Sequence, residues 1–307
     1  MLAVPPTPPA LLHPSGVWFF DWVIPIAGGL LVALAIGDSL RRSRPTWGLL
    51  FLLNSLGVYW METMGDWGQQ LLYSPAFAEH HLLEWLPIKT PHDPAFMPFA
   101  YAVYWTVHAL VVLWVGQLLQ RRFGWSLLKA VLVLALPVNY AWDFFVESLA
   151  TYMGWWTYNP GFGPKIEWGG GASLTLLWTI GLMSFWPNLI AYWAGKSPVH
   201  TLNHFERFFA LERFTRPRTT PAPAPPVSSG STLLAVHVDA ATLTKKLTKR
   251  EQYDAQLDYE VTISRRRFEL YRFLSWFLVF QLSFFLLLIV PVVSMRLLTG
   301  INGPYIP

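Results

Sequence analysis

The sequence Asn139-Tyr-Ala-Trp-Asp143-Phe-Phe-Val-Glu147-Ser-Leu-Ala-Thr-Tyr-Met-Gly154-Trp-Trp-Thr-Tyr158 closes an apolar run that begins near residue 124. As a helix, residues 124–150 are long enough to cross a hydrocarbon core of about 30 Å. Asp143 and Glu147 stand four residues apart, so they share one face of that helix. Ionisable groups at membrane depth are costly and usually face a bundle interior or a wet cavity. The stretch therefore predicts either a functional site or a buried structural pair.

Composition places the whole chain in the membrane class. Of the 307 residues, 53% are hydrophobic and 13% are charged, whereas soluble domains carry about 25% charged residues. The 17 Trp and 12 Tyr residues suit a protein that is anchored at two membrane interfaces. The absence of cysteine excludes disulfides, thiolate metal sites and cysteine catalysis. We therefore expect membrane lipids around the chain and no nucleic-acid partner.

Six segments are long and apolar enough to span a bilayer. The sequence thus predicts an all-α fold, a polytopic bundle of about six transmembrane helices. The predicted spans are residues 17–38, 47–66, 97–119, 124–150, 172–194 and 270–292.

Basic residues alternate between the connecting segments. Loop 39–46, the end of the third span and segment 195–269 are rich in Lys and Arg, whereas loops 67–96 and 151–171 hold one Lys each. Because basic loops stay in the cytoplasm, this pattern predicts a multi-pass protein of the cell (inner) membrane. Both termini are then on the outer, periplasmic side, and loop 195–268 is cytoplasmic.

Changes in composition divide the remainder of the chain. We expect a disordered N-terminal tail at 1–16, because it is rich in proline and lacks Lys and Arg. A five-helix transmembrane bundle follows at 17–194, with outer loops 67–96 and 151–171. A basic segment with a Pro/Ala-rich linker is predicted at 195–238. A cytoplasmic helix that lies against anionic lipid head groups follows at 239–268. The last transmembrane helix and its outer tail occupy 269–307.

The second span carries another pair of acids four residues apart, Glu62 and Asp66. The second and fourth spans run in the same direction, so all four acids should lie at similar depth near the outer boundary. Crowded carboxylates in a poorly hydrated site cannot all ionise. A protonated acid beside an ionised one is suited to general acid/base chemistry on oxygen substrates. The alternative is that Tyr, Trp or Asn side chains bind these acids and fix the helix packing.

Histidines offer a second type of site. Segment 78–87 is predicted to be a short amphipathic helix at the interface, and loop 67–96 could supply metal ligands. No Glu-x-x-His pair lies on a spanning helix, so we expect no metal and no cofactor. His108 is alone on an apolar helix, which favours a hydrogen-bonded bundle residue over a haem or pigment ligand. The loop residues with ligand chemistry are Glu79, His80, His81, Glu84, His92 and Asp93.

The aromatic run after the fourth span allows two interpretations. Trp155, Trp156 and Tyr158 lie between Gly154 and the turn at Pro160. They form either an aromatic belt at the membrane interface, which is the default for such residues, or an apolar wall over the acids.

Several short motifs together resemble the spirocyclase AveC family, integral membrane proteins named for the enzyme that closes the avermectin spiroketal. The likeness runs from about residue 50 to the C-terminus, apart from the linker. It rests on the order and spacing of its motifs, which are Tyr59-Trp60-x-Glu62-x-x-x-Asp66, Asp143-x-x-x-Glu147 with the following aromatics and Pro160-Gly161, Leu176-Leu-Trp178, and Leu297-Leu-Thr-Gly-Ile-Asn-Gly-Pro304.

The resemblance implies a cofactor-free dehydrative cyclisation of a hydrophobic polyketide- or lipid-like substrate, with Glu62, Asp66, Asp143 and Glu147 as catalytic residues. Asp143 and Glu62 lie deepest in their helices, so we assign them the acid/base roles, with Asp66 and Glu147 tuning them. Two other functions stay open at this stage. One is a non-catalytic subunit of a larger membrane complex, packed through Trp-rich helices against protein or pigment partners, and the other is a metal-dependent membrane oxidase.

Overall fold

Long apolar helices form the frame of the structure, a computed structural model that describes residues 6–176, 181–195, 202–217 and 259–306. Within these ranges, four helices are long and apolar enough to cross a membrane. The prediction of a mostly helical membrane protein is confirmed to this extent. The four helices cover Phe19–Arg41, Met97–Phe123, Leu127–Tyr152 and Arg265–Thr299.

The helices and strands are numbered in chain order. The α-helices are α1 (Ile24–Arg41), α2 (Trp47–Gly57), α3 (Glu62–Gln69), α4 (Met97–Phe123), α5 (Leu127–Leu134), α6 (Ala141–Tyr152), α7 (Gly181–Ala194), α8 (His204–Phe208), α9 (Arg265–Phe284) and α10 (Val290–Thr299). Wider π-helical turns precede α1 and join α5 to α6 and α9 to α10, at Phe19–Val23, Ala135–Tyr140 and Phe285–Ile289. The strands are β1 (Leu71–Tyr73), β2 (Trp156–Tyr158), β3 (Lys165–Gly169), β4 (Ala172–Thr175), β5 (Thr215–Pro217) and β6 (Tyr259–Val261).

The strands form three antiparallel two-stranded sheets, β1–β2, β3–β4 and β5–β6. The prediction of a purely α-helical fold is therefore incomplete. In the first sheet Leu71 lies opposite Tyr158 and Tyr73 lies opposite Trp156. These strands are too short to show an alternating pattern, and β1 and β2 are distant in sequence, so only the folded chain brings them together.

The two ends of the helix bundle differ in character. We call one the acid end: it contains β1–β4, residues 6–16 and the C-terminal residues 300–306, joined by contacts such as Ala10 N to Gly170 O at 3.0 Å. The other, the basic end, contains loop 42–46, α8 and the β5–β6 sheet. Both ends of the described chain therefore lie at the acid end.

The N-terminal tail is ordered where it is described, so the prediction of a disordered segment is wrong for residues 6–16. Pro9–Leu11 forms a short 3-10 helix. Leu11 is 0% exposed and packs with Leu72 and Ile306. A Cβ at Gly154 would lie 2.2 Å from the Ala10 carbonyl oxygen, so the tail approaches the end of α6 at a distance that only glycine permits.

The second predicted span is not one continuous helix. A 3-10 turn at Tyr59–Met61 separates α2 from α3. Gln281 of α9 occupies this break: its Nε2 donates to the Gly57 carbonyl at 3.0 Å, and its Oε1 accepts from Trp60 Nε1 at 2.8 Å. Insertion of a side chain into the helical hydrogen-bond ladder is a recognised cause of such interruptions.

The fifth predicted span begins too early. Residues 172–175 form β4, which pairs with β3 across the turn Gly169-Gly170-Gly171, and α7 is described only from Gly181. All three turn glycines have positive φ, the conformation that makes a tight hairpin accessible to glycine. The glycine run therefore forms the turn of a hairpin and does not precede a membrane helix directly.

Two further predicted helices also differ. Segment 78–87 contains turns and one isolated bridge, Glu79 to Pro94, because backbone groups of Ala78 and His80 hydrogen-bond to Ala95 and Asp93 rather than within a helix. In the predicted helix 239–268, residues 259–261 are β6, and α9 begins at Arg265. Residues 215–217 of the predicted linker are β5. Residues 218–258, with the rest of the linker and of that helix, lie outside the described residues.

A buried ion network closes the basic end. Arg272 of α9 donates to Glu206 of α8 at 2.6 Å and to Glu269 at 3.0 Å. It also donates to the Pro45 carbonyl at 2.8 Å. Asn203 and Glu206 form a capping box at the start of α8. The network therefore holds α8, α9 and loop 42–46 together, while the aromatic core of α2, α4, α7 and α9 fills the centre.

Candidate functional site

The four predicted acids line one cavity. Glu62 and Asp66 come from α3, and Asp143 and Glu147 come from α6. The cavity has a volume of about 980 Å³, and all four carboxylates are among its lining residues. Glu62, Asp66 and Asp143 are 8%, 4% and 4% exposed. The tertiary structure therefore brings together side chains that the sequence places about 80 positions apart.

Glu62 lies among tyrosines. The hydroxyl of Tyr73 on β1 donates to Glu62 Oε1 at 3.3 Å, and Tyr101 of α4 lies beside the same carboxylate. Glu62 Oε2 is buried and has no hydrogen-bond partner within the described part of the chain. Burial raises the pKa of Tyr73 well above its usual value, so its hydroxyl remains a donor at neutral pH. Glu62 thus lies between two tyrosine hydroxyls that hydrogen-bond its carboxylate, with Oε2 buried at the cavity wall.

Glu147 is held by two donors from β2. Trp156 Nε1 and the Tyr158 hydroxyl both donate to Glu147 Oε2, at 2.7 Å and 2.9 Å. Trp155, Trp156 and Tyr158 all line the cavity. Of the two interpretations of the aromatic run after α6, the structure therefore supports the wall over the acids. The default, an interface belt alone, does not describe these residues fully. The two donors hold the carboxylate of Glu147 in one orientation at the cavity wall.

Asp66 lies within the electrostatic range of several other acids. The charges of Glu62, Asp93 and Glu147 all act on it. Asp93, in the loop behind α3, is 5% exposed and is bound by the Thr63 hydroxyl and by Lys89, whose Nζ lies 3.7 Å from it. Such a concentration of carboxylates in one low-dielectric region is a recognised mark of functional sites.

The rest of the cavity wall is mostly apolar, and its mouth opens sideways. Apolar side chains that line the cavity are also exposed on the lateral surface, from α4 (Val107, Val111) and α6 (Trp142, Phe145). The mouth thus lies between two helices that are long enough to cross a membrane. A ligand that is dissolved in the bilayer could reach the acids without entering water.

The C-terminal segment holds α3 in place. Arg296 of α10 donates to the carbonyls of Trp67 and Ile306 at 2.6 Å each, and its guanidinium lies 3.8 Å from the Trp67 ring centroid. A Cβ on Gly68 would lie 2.9 Å from Val293 N, so α3 and α10 are in backbone contact. This packing fixes the helix that carries Glu62 and Asp66.

The loop histidines do not assemble at the cavity. His80 contacts the Tyr59 hydroxyl, His81 binds Glu84 at 3.1 Å, and His92 binds Glu79 at 2.6 Å. In the described ranges, no three His, Asp or Glu side chains form a group that could hold a metal ion.

Sequence reasoning missed the tyrosines of this site and misjudged His108. Tyr73 and Tyr101 line the cavity beside Glu62, and nothing in their local sequence distinguishes them from other aromatics. His108 was expected to be a hydrogen-bonded bundle residue, yet it lines the cavity and its Nδ1 has no partner among the described residues. No family model, no curated protein and no solved structure matches this chain.

Proposed function

We propose that this protein is a membrane enzyme that catalyses an acid/base dehydrative cyclisation of a hydrophobic, hydroxyl-bearing substrate, as the resemblance to the spirocyclase AveC family implies, and that it belongs to that family. One observation carries the proposal: four carboxylates from two helices line a single, mostly apolar cavity. A purely structural role would not require such a volume next to the acids.

The proposed reaction needs an acid, a base and stabilisation of a cation. The acid protonates a hemiketal hydroxyl, the C–O bond breaks, and water leaves. The resulting oxocarbenium ion is attacked by a second hydroxyl, whose proton passes to a carboxylate as the new C–O bond forms. The sum is a cyclic ketal plus one water, with no oxidant and no net proton. Paired carboxylates divide these roles in glycoside hydrolysis, which passes through a similar cation.

The contacts support different roles for the acids. Glu62 and Asp143 are assigned to proton transfer. Glu62 has an oxygen without a protein partner in the described ranges, and both residues are buried at the cavity wall. Glu147, held by Trp156 and Tyr158, is assigned to electrostatic stabilisation of the oxocarbenium ion. Asp66 interacts electrostatically with Glu62 and Glu147. We therefore assign Asp66 to adjusting the proton affinities of these acids.

The substrate class follows from the lining. Apart from the acids, four tyrosine hydroxyls, the amide of Gln69 and several ring nitrogens, the wall is aliphatic and aromatic, and the mouth faces the lateral surface. A polyketide or lipid with a hydroxylated head would place its oxygens at the acids and its chain towards the mouth. Direct entry from the bilayer suits such a molecule.

We further propose six membrane crossings, with the basic end in the cytoplasm. The four long helices are joined by α2–α3 and by α7, which pack inside the bundle. Both ends of the described chain lie at the acid end, which an even number of crossings requires. Arg41, Arg42, Arg121, Arg122 and Arg265–Arg267 lie at the basic end.

The native chain contains no cysteine, so single cysteines can report this topology. A cysteine at Glu167 should react with a membrane-impermeant maleimide in intact cells. A cysteine at Ser43 should react only after the membrane is permeabilised. The reverse labelling pattern would contradict the proposed orientation.

The test of the reaction uses the purified protein in nanodiscs with a long-chain dihydroxy ketone as probe. We expect faster spiroketal formation than in empty nanodiscs and one preferred spiro configuration. Glu62→Gln and Asp143→Asn should each lower the rate by about 10²- to 10⁴-fold, the usual contribution of a general acid or base. Glu167→Gln, which changes an exposed acid on β3, is the matched control. A rate unaffected by Glu62→Gln and Asp143→Asn would overturn the proposal.

A non-catalytic subunit of a larger membrane complex is the second candidate. One observation favours it: the first long helix is mostly exposed and presents Trp18 and Trp22 on the surface. Purification in a mild detergent separates the two functions. Stable co-purification with other chains, together with assembly defects as the sole effect of Glu62→Gln, would favour the subunit.

A further inference from the structure

One face of α4 carries a polar ladder into the cavity. Tyr101, Trp105 and His108 follow each other at i, i+4 and i+7, so they lie on one side of the helix. All three line the cavity. Tyr101 is beside Glu62 at the acid end, and His108 is near the middle of α4. The ladder therefore leads from the acids towards the centre of the helix bundle.

In each of the two deeper members of the ladder, one ring nitrogen has no hydrogen-bond partner among the described residues. Trp105 is 2% exposed and its Nε1 has no acceptor within the described residues. His108 is 7% exposed, and no described side chain or backbone group hydrogen-bonds to its Nδ1. Buried polar groups in native proteins are nearly always satisfied, by protein, water or ligand.

The orientation of the imidazole is fixed by its neighbours. The rings of Tyr104 and Trp142 meet that of His108 edge to face, with centroids 4.5 Å and 6.3 Å away. Trp142 also lies at the mouth of the cavity. His108 thus lies beside Trp142, one of the exposed side chains at the mouth between α4 and α6.

We propose that Trp105 and His108 form a second polar subsite, which binds an oxygen function of the substrate about 10 Å, two helical turns, from the oxygen beside Glu62. The inference rests on the proposed function because that function places the reacting oxygen at Glu62. Trp105 can only donate, whereas His108 donates or accepts according to its tautomer. A hydroxyl satisfies both, and a carbonyl or ether oxygen satisfies the donors.

The subsite defines the substrate more closely than the cavity volume does. The preferred ligand is a chain with oxygen functions at two positions about 10 Å apart and an apolar segment between them. A chain that has a methylene at the second position leaves both buried nitrogens unpaired. Sites built for hydrogen bonding discriminate strongly against such analogues.

The test is a binding measurement that needs no turnover. Terminal octanediol, whose hydroxyls span about this distance, is compared with n-octanol and with the shorter terminal butanediol. Binding to the full-length protein in nanodiscs is followed by intrinsic tryptophan fluorescence at measured free ligand concentrations. The wild type should bind octanediol about three- to tenfold more tightly than n-octanol, the effect of one net hydrogen bond. Butanediol should bind most weakly of the three.

Four variants locate the effect. His108→Leu should abolish the preference for the diol and leave the affinity for n-octanol unchanged. His108→Gln, which keeps a donor and an acceptor, should retain the preference. Trp105→Phe should reduce it. Trp186→Phe is the control, because that buried indole donates to Ser283 and does not line the cavity.

Equal affinities of octanediol and n-octanol for the wild type would overturn the subsite, and would mean that water satisfies these nitrogens. A preference that survives His108→Leu would also overturn it. The binding test and the reaction test can fail independently. If the protein is inactive but still prefers octanediol, the subsite stands and the proposed reaction fails. If the protein is active but shows no preference, the reaction stands and the subsite fails.

Discussion

The indole nitrogen of Trp156 donates a hydrogen bond of 2.7 Å to Oε2 of Glu147. Trp156 lies on β2 and Glu147 on α6, so the bond joins a sheet at the acid end to a helix of the bundle. Tyr158, two residues further along the same strand, donates to the same oxygen at 2.9 Å. Because β2 pairs with β1, which carries Tyr73, one small sheet supplies donors to acids from both α3 and α6.

The first prediction concerns these donors. Tyr158→Phe removes one of the two hydrogen bonds to Glu147, and a typical hydrogen bond contributes about 0.5–1.5 kcal/mol net. We expect a loss of stability of that size, measured by unfolding of the purified protein in detergent. Tyr152→Phe is the control, since Tyr152 lies on α6, the helix that carries Glu147, and is 67% exposed. A Tyr158→Phe variant as stable as the control would contradict the assigned role.

The second prediction concerns pH. Burial raises the pKa of Asp93, although Thr63, Lys89 and His80 partly offset the effect. The folded protein therefore holds the Asp93 proton at pH values where the unfolded chain, with a pKa near 3.9, has lost it. The stabilisation from Asp93 is complete below the unfolded pKa and is lost as the pH rises through the folded pKa. Wild type should thus lose stability relative to Asp93→Asn as the pH rises from about 4 towards neutrality.

Glu84 provides the control of opposite sign. This exposed carboxylate has its pKa lowered by a hydrogen bond to His81 and by the charge of Lys89. The small contribution of Glu84 to the stability of the fold is present above its unfolded pKa and is lost as the pH falls. Glu84→Gln should therefore not reproduce the effect of Asp93→Asn. Melting temperatures of the three proteins across this pH range decide the matter, and parallel curves for wild type and Asp93→Asn would refute the prediction.

The third prediction concerns the contact between α3 and α10. A Cβ at Gly68 would lie 2.9 Å from Val293 N, a backbone atom that cannot move aside cheaply. Gly68→Ala should therefore destabilise the protein by about 1–3 kcal/mol. Gly29→Ala, in α1, meets nothing within 4 Å and should stabilise its helix by up to about 1 kcal/mol. Opposite shifts in the unfolding midpoint are expected, and a neutral Gly68→Ala would show that α3 and α10 are not in close contact.

The fourth prediction concerns the basic end. Glu206→Gln leaves the buried Arg272 with a weaker partner, and breaking a buried ion pair costs about 3–5 kcal/mol. Glu212→Gln removes the exposed partner of Arg207 and should cost about 0–1 kcal/mol. Thermal unfolding of both variants gives the comparison. Equal effects would mean that the network is not buried in the folded protein.

Much of the helical frame was predictable from local sequence. The long apolar runs that contain α4 and α9 mark membrane-length helices, because a bilayer core demands such runs. The spacing of Glu62 from Asp66 and of Asp143 from Glu147 already placed each pair on one helix face. The resemblance to the spirocyclase AveC family, which rests on these motifs, remains a proposal.

Other features could not be read from local sequence. The break between α2 and α3 depends on Gln281, a residue far along the chain. The sequence predicts residues 172–175 as the start of a span because an apolar segment follows them, yet they form strand β4 of a hairpin with β3. The β1–β2 sheet pairs two segments of three residues each, and neither has a pattern of its own.

The sequence by itself determined that this chain belongs in a membrane and that two pairs of acids lie on helix faces, since hydropathy and helical periodicity are local properties. Only the tertiary structure decided that Glu62, Asp66, Asp143 and Glu147 line one cavity with Tyr73, Trp156 and Tyr158 as donors or neighbours. That arrangement depends on how α3, α6 and the β1–β2 sheet pack, and such long-range packing leaves no signal in the spacing of neighbouring residues.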